Sequence, residues 1–256
     1  MEKNNSISFL DIESIPQLIK DFLMQKVDGF GNKVFNDRNI EHQFQLKAQE
    51  FSSEKRQMLF DVLKDQYLGF KLSGRQEENL NSVLQENTFT VTTGHQLNLF
   101  TGPAFFIYKI LQTIKLADEL NRKFPDRNTV PVFWMATEDH DFDEINHFKT
   151  ENSYYETKAK AGGAVGRIIV EDDFFISEFE EEFKDSVFGT ELILLMKKAY
   201  KKGNSLAQAT RILVQELFAE YGLIIIDGDH PELKKEITEV FLNELLHQNL
   251  FETTQN

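Results

Sequence analysis

FTVTTGHQLNLFTGPAFFIYKILQTIKLADELNRKFPDRNTVPVFWMA, residues 89–136, carries the alternation on which the fold turns. FTVTT is a short run of β-branched and aromatic residues, the composition of a buried strand. Gly94 and the loop HQLNLFTG follow it. Pro103 suits a first helical position, and Thr101 or Gly102 is placed to cap the helix expected over about 103–122. Phe106, Ile107, Ile110, Leu111, Ile114 and Ala117 lie three and four residues apart, one apolar stripe along that helix. VPVFWMA, expected as a strand over about 130–136, is apolar almost throughout, as a strand covered on both faces must be. Strand, helix and strand in this order form a right-handed βαβ unit with parallel strands.

Outward from this unit the pattern repeats. A helix expected over about 205–221 leads into LIIID, 223–227, a third strand. The expected fold is therefore α/β, a Rossmann-like parallel sheet with helices on both faces. Residues 1–86 read as a helical N-terminal region, with a Gly- and Asn-rich loop at KVDGFGNKVFNDRN. Residues 87–148 form the first βαβ half of the core, 149–202 an inserted connecting subdomain, and 203–256 the continuation of the core. Within the insert, GGAVGRIIV predicts a short strand after a glycine-rich turn. EDDFFISEFEEEF predicts an amphipathic surface helix burying Phe174, Phe175, Ile176, Phe179 and Phe183.

The chain has 256 residues and a net charge of −14, a field that repels polyanions. Lys197, Lys198, Lys201 and Lys202 fall at helical spacing and read as a solvated helix end, so nucleic-acid binding is not expected. The absence of cysteine excludes disulfides, thiolate metal sites and a catalytic thiol. MEKNNSISFLDIESIPQLIKDF lacks the charged-then-apolar form of a signal peptide, and no apolar run reaches the roughly 20 residues of a membrane span. A cytoplasmic protein without membrane contact is expected.

In a parallel α/β sheet, ligands sit beyond the carboxyl ends of the strands, and three polar clusters fall there. The first is TTGHQLNLFTGP, 92–103. Thr93, Gly94, His95 and Gln96 stand at the strand tip, and Thr101, Gly102 and Pro103 at the helix start, where backbone amides suit a carboxylate or phosphate. Lys109, farther along the helix, is within reach of an anion. The second is TEDHDFDEINHF, 137–148, with Glu138, Asp139, His140, Asp141, Asp143, Glu144 and His147. So many acids require caps, solvent or a cation. They suit an amine or hydroxyl groups through charge-assisted hydrogen bonds. Asp139, Asp141 or Asp143 could equally cap a helix starting near Phe142, and His140 and His147 would share a face if helical. The zinc signature H-E-x-x-H is absent and no metal is assigned. The third is IIIDGDHPELKK, where Asp227 and Asp229 precede a helix opened by Pro231, with Asp229 its candidate cap.

Two of these segments, TGHQLNLFTGPAFFIYKILQTIKLA and VPVFWMATEDHDFDEINHF, resemble the signature of the BshC family. GGAVGRIIV and LAQATRILVQELFAEYGLIIIDGDHPELKK extend the similarity from about Asn39 onward in the same order. The resemblance implies a ligase that adds L-cysteine to the amino group of glucosaminyl-malate to form bacillithiol. It implies an activated cysteine carboxylate, with ATP or ADP as the nucleotide, and a homodimer in the full-length protein. The resemblance also implies a core related to class I aminoacyl-tRNA synthetases and pantoate ligases, and in the related synthetases an H-x-G-H turn holds the phosphates. Here the equivalent turn is FTGP, 100–103, so only the loop backbone around Gly102 inherits that role. Glu138, Asp139, His140 or Asp141 would orient the amine and take its proton. Family members are much longer, so the chain is expected to be incomplete relative to them. Two other readings use the same residues: a metal-dependent hydrolase or phosphotransferase built on EDHDFDE, and a non-catalytic binding fragment.

Overall fold

The structure is a computed structural model that describes residues 7–30, 34–160, 162–171 and 174–255. Readings made on Met1–Ser6, on Gly31–Lys33 of the expected loop, on Asp172 and Asp173, and on the Phe174 side chain lie outside what is described. The chain divides into two compact units, Met1–Ser52 and Ser53–Asn256. The smaller contains helices α1 (Gln17–Leu23) and α2 (Asp37–Glu50). The Asn36 side chain caps α2 by accepting the Asn39 N–H at 2.9 Å.

The larger unit runs α3 (Ser53–Gln66), α4 (Gly74–Ser82), β1 (Thr88–His95), α5 (Phe105–Lys123), β2 (Asn128–Met135), α6 (Phe142–Ile145), β3 (His147–Lys149), β4 (Tyr154–Glu156), α7 (Phe174–Phe183), α8 (Gly189–Ala199), α9 (Leu206–Phe218), β5 (Ile224–Asp227), α10 (Pro231–Lys235), α11 (Thr238–His247) and α12 (Asn249–Gln255). The helical region expected over 1–86 is thus divided, with α3 and α4 belonging to the unit that holds the sheet. Side-chain bonding to β5 explains this. The Tyr67 hydroxyl accepts the Ile225 N–H at 2.8 Å. Gln66 accepts the Asp227 N–H at 2.8 Å and donates to the Asp227 carbonyl at 2.9 Å. The outer flank of β5 is satisfied by side chains instead of by another strand.

The sheet is parallel, ordered β1-β2-β5, as expected of the Rossmann-like class. Helix α5 packs against β1 and β2, with the Phe106 and Phe133 rings 5.3 Å apart. Of its predicted stripe, Phe106, Ile110, Ile114 and Ala117 are buried, whereas Leu111 is exposed. Helix α9 begins at the capping box of Ser205 and Gln208 and packs on β5. Its buried Arg211 donates to Ile225 O at 3.3 Å and Gln66 Oε1 at 2.9 Å. A buried charge of this kind needs such partners.

In the insert, α7 buries Phe175, Ile176 and Phe179, matching the amphipathic reading of the acidic stretch. GGAVGRIIV departs from the strand expected there. It forms a 3-10 turn at Val165–Arg167 and a single bridge between Ile169 and Ser205. Gly166 is pressed against Thr137, with its N–H on the Thr137 carbonyl at 2.8 Å, so the chain cannot extend at that point. Among the described residues no helix is long and apolar enough to cross a membrane.

Candidate functional site at the strand ends

The three strands finish level with one another. His95 pairs in register with Met135, and Met135 with Asp227, so the three polar clusters leave the sheet side by side. Hydrogen bonds then tie them together. Gln96 Nε2 donates to Asp139 Oδ2 at 3.2 Å and Glu144 Oε2 at 2.8 Å, joining the first cluster to the second. The Thr137 hydroxyl donates to the Asp227 carboxylate, joining the second to the third. Asp227 also accepts the Asp229 N–H at 2.9 Å.

Beside the β1 tip lies a cavity of about 300 Å³ lined by Gly94, His95, Gln96, Lys109 and Ala136. Lys109 Nζ donates to the Gly94 carbonyl at 2.7 Å, which fixes a cation at its rim. His95 lies 5.4 Å from the Phe105 ring and 5.1 Å from the Phe106 ring. Desolvation lowers its pKa from the ordinary value, and Lys109 adds to this against the opposing bond to Gln96 O. Its Nδ1 is 3.1 Å from the Gln96 carbonyl, a distance that assigns the proton to Nδ1 and leaves Nε2 as the acceptor. Thr93 is half-buried on β1.

The helix start differs from expectation. Helix α5 begins at Phe105, with Ala104 as N-cap and no side-chain cap from Thr101 or Gly102. Phe100, Thr101 and Gly102 all take positive φ, 52°, 74° and 61°. The Thr101 N–H is bonded to Asn98 O at 3.1 Å and the Gly102 N–H to Leu99 O at 3.0 Å. Those two amides are therefore occupied inside the turn, and Pro103 has none. Gly102 itself is required, because a Cβ there would come 2.5 Å from Asn98 Cβ.

In the acidic turn, Glu138 and His140 are exposed. Burial pushes the Asp139 carboxyl up, but hydrogen bonds from the His140 and Asp141 amides and from Gln96 outweigh it and hold the group below its usual range. Asp139 therefore stays ionised, a fixed anchor for a cation. Asp141 occupies the N-cap of α6 without a side-chain cap bond. The donor atoms of Asp139, His140 and Asp141 lie within 4.8 Å of one another, close enough to share a divalent ion. His147 is not on their face. It sits in β3, stacked on Tyr154 at 5.1 Å.

Asp229 is not the cap of α10. His230 is, accepting the Glu232 N–H at 3.3 Å. Asp229 instead receives Arg167 through two bonds, 2.6 and 3.0 Å, and Lys234. Partial burial raises the Asp229 carboxyl, and these two cations more than reverse that, leaving it below its ordinary 3.8. A carboxyl depressed on folding adds stability above 3.8 that disappears as the pH falls through the folded value. Asp229→Asn should therefore lower the urea midpoint at neutral pH and leave it unchanged in strong acid. Equal loss at both would show that the carboxylate charge is not what matters.

Parallel strands ending flush under a polar cleft define a Rossmann-like protein, a class in which ligands sit at the strand ends. The match to known proteins is more particular. Residues 5–256 match the family model described as "Bacillithiol biosynthesis BshC, N-terminal Rossmann-like domain". The chain belongs to this family. A protein of Flavobacterium psychrophilum is 41% identical over 247 residues, covering 95% of this chain and 46% of that protein. One of Flavobacterium johnsoniae is 40% identical over 252 residues, covering 97% and 48%. One of Cytophaga hutchinsonii is 44% identical over 193 residues, covering 75% and 35%. Each carries the name "Putative cysteine ligase BshC". The chain thus spans about half the length of the first two.

Proposed function

We propose that this chain forms the substrate-binding part of a ligase that joins L-cysteine to the amino group of glucosaminyl-malate, giving bacillithiol. The observation that carries this reading is the junction of oppositely charged walls at one set of strand ends. Lys109 lines the cavity, and Asp139 is hydrogen-bonded to Gln96, which lines it too. Amide formation joins an activated carboxylate to an amine and therefore needs both walls.

ATP would supply the activation of the cysteine carboxylate. Lys109 is the residue suited to the negative charge of the activated group, since the Thr101 and Gly102 amides are occupied. Asp139, held ionised, holds the incoming ammonium, and Glu138 offers a second carboxylate beside it. His95, with Nε2 unprotonated, is suited to take the proton released as the amine attacks. Holding the two reactants together lowers the entropic part of the barrier. The name carried by the relatives supports the cysteine ligase part of this reading. The activity belongs to the full-length family chain, to which these residues contribute one half.

Calorimetric titration tests the assignment. ATP should bind, and Lys109→Met should weaken it about tenfold, the worth of one charge-assisted hydrogen bond. Unchanged affinity in the variant would remove Lys109 from the anion site. The Asp139–His140–Asp141 grouping favours a second reading, a metal-dependent hydrolase or phosphotransferase. That reading requires stoichiometric divalent-ion binding that is lost in Asp139→Asn.

A further inference from the structure

Trp134 is the one tryptophan of the chain, and it sits beside the site. Side chains alternate across a sheet. Phe133 meets Phe106, so Phe133 faces α5 and Trp134 faces the other way. On that side its in-register neighbour on β1 is Gly94, which presents no side chain. On β5 its in-register neighbour is Ile226, and just past the strand end stands Gly228, where a Cβ would collide with the benzo ring of the indole and come within 2.9 Å of Glu138 Oε1. The indole therefore lies near the strand ends between Gly94 on one side and Ile226 and Gly228 on the other, with the Glu138 carboxylate nearby. Thr90 and Thr92, on the same face of β1 as Gly94, are exposed. Trp134 is only partly buried, and its N–H has no partner among the described residues and is not among the buried unsatisfied atoms. It is an unpaired donor open to solvent.

A partly exposed aromatic ring with a free donor and a carboxylate near it is a recognition surface for a ring carrying hydroxyl or ammonium groups. Glu138 places an acceptor near it, a setting that repels phosphate. Gly94 both lines the cavity under Lys109 and lies against Trp134. We propose that Trp134 is the platform for the aminosugar ring of the acceptor substrate, with the amine directed over Gly94 toward the activated carboxylate. This deepens the ligase reading above and rests on it.

Because Trp134 is the sole tryptophan, its emission reports on this site alone. The full chain is titrated with methyl α-D-glucosaminide, glucosaminyl-malate and AMP while indole fluorescence is followed, and glucosaminyl-malate binding is measured in parallel by calorimetry. The expected result is a saturable change in emission with both aminosugar compounds and none with AMP. Trp134→Leu should bind glucosaminyl-malate about tenfold more weakly, the upper range for one aromatic contact, with an unchanged circular dichroism spectrum. Glucosaminyl-malate binding by calorimetry with no emission change would overturn the platform and leave the ligase reading standing. A change with AMP alone would make the indole a nucleobase site and overturn the proposal. No heat with glucosaminyl-malate would remove the acceptor reading, and the platform with it.

Discussion

Gly166→Ala should lower the thermal midpoint by about 4–8 °C. A Cβ at this position would lie 2.6 Å from Thr137 Cβ, 2.9 Å from Thr137 O and 3.0 Å from Thr137 Cα. Two of those atoms are backbone, so no rotamer change relieves the contact. The Gly166 N–H is also bonded to the Thr137 carbonyl at 2.8 Å, which prevents the turn from sliding away. Overpacking of this kind costs about 2 kcal/mol, and for a unit of roughly 200 residues that is the stated shift. Thr137 carries the hydroxyl that links the second and third strand ends, so the displacement also reaches Asp227. Scanning calorimetry of the variant checks the prediction. A midpoint within a degree of the parent would mean that the insert does not press on this turn.

Tyr200→Phe should cost about 1–3 kcal/mol, the penalty for leaving a buried amide without its acceptor. The fully buried Tyr200 hydroxyl accepts the Phe100 N–H at 2.8 Å. Burial pushes the phenol pKa well up, so the group remains a neutral hydroxyl. Phe100 has φ of 52°, a backbone state unfavourable for a bulky residue. It persists because the ring is packed among Phe148, Phe175, Phe179 and Tyr200, with centroids 4.5–5.5 Å away. Without the hydroxyl, the loop between β1 and α5 should open more often. Faster hydrogen exchange at the Phe100 amide, with circular dichroism preserved, is the expected signature. Unaltered exchange there would show that aromatic packing holds the loop unaided.

Much of the core was legible because it obeys local rules. FTVTT, VPVFWMA and LIIID combine strand propensity with apolar runs, and the stripe from Phe106 to Ala117 has helical period. The convergence of Gln96, Asp139, Asp227 and Asp229 followed from the topology, since parallel strands deliver their ends to one side. Long-range bonding was not legible. The start of α5 shifted because three successive residues take positive φ, and a tyrosine a hundred positions away supports that turn. Gln66, Tyr67 and Arg211 read as ordinary helical residues, yet they brace β5. Thr137, at the edge of the acidic motif, was overshadowed by its carboxylates. Arg167 was visible only as part of a supposed strand, and its pairing with Asp229, read as a cap or a ligand contact, was not.

The bonding of Gln66 and Tyr67 to β5 closes one margin of the sheet. The Ile225 and Asp227 amides on that flank are already taken by side chains, so no additional strand can zip on there. At the opposite margin, β1 is hydrogen-bonded as a strand to β2 alone among the described residues. There the Thr88 carbonyl accepts Arg56 at 3.0 Å and the Gly94 carbonyl accepts Lys109 at 2.7 Å, so both margins of the sheet are held by side chains where a further strand would otherwise pair.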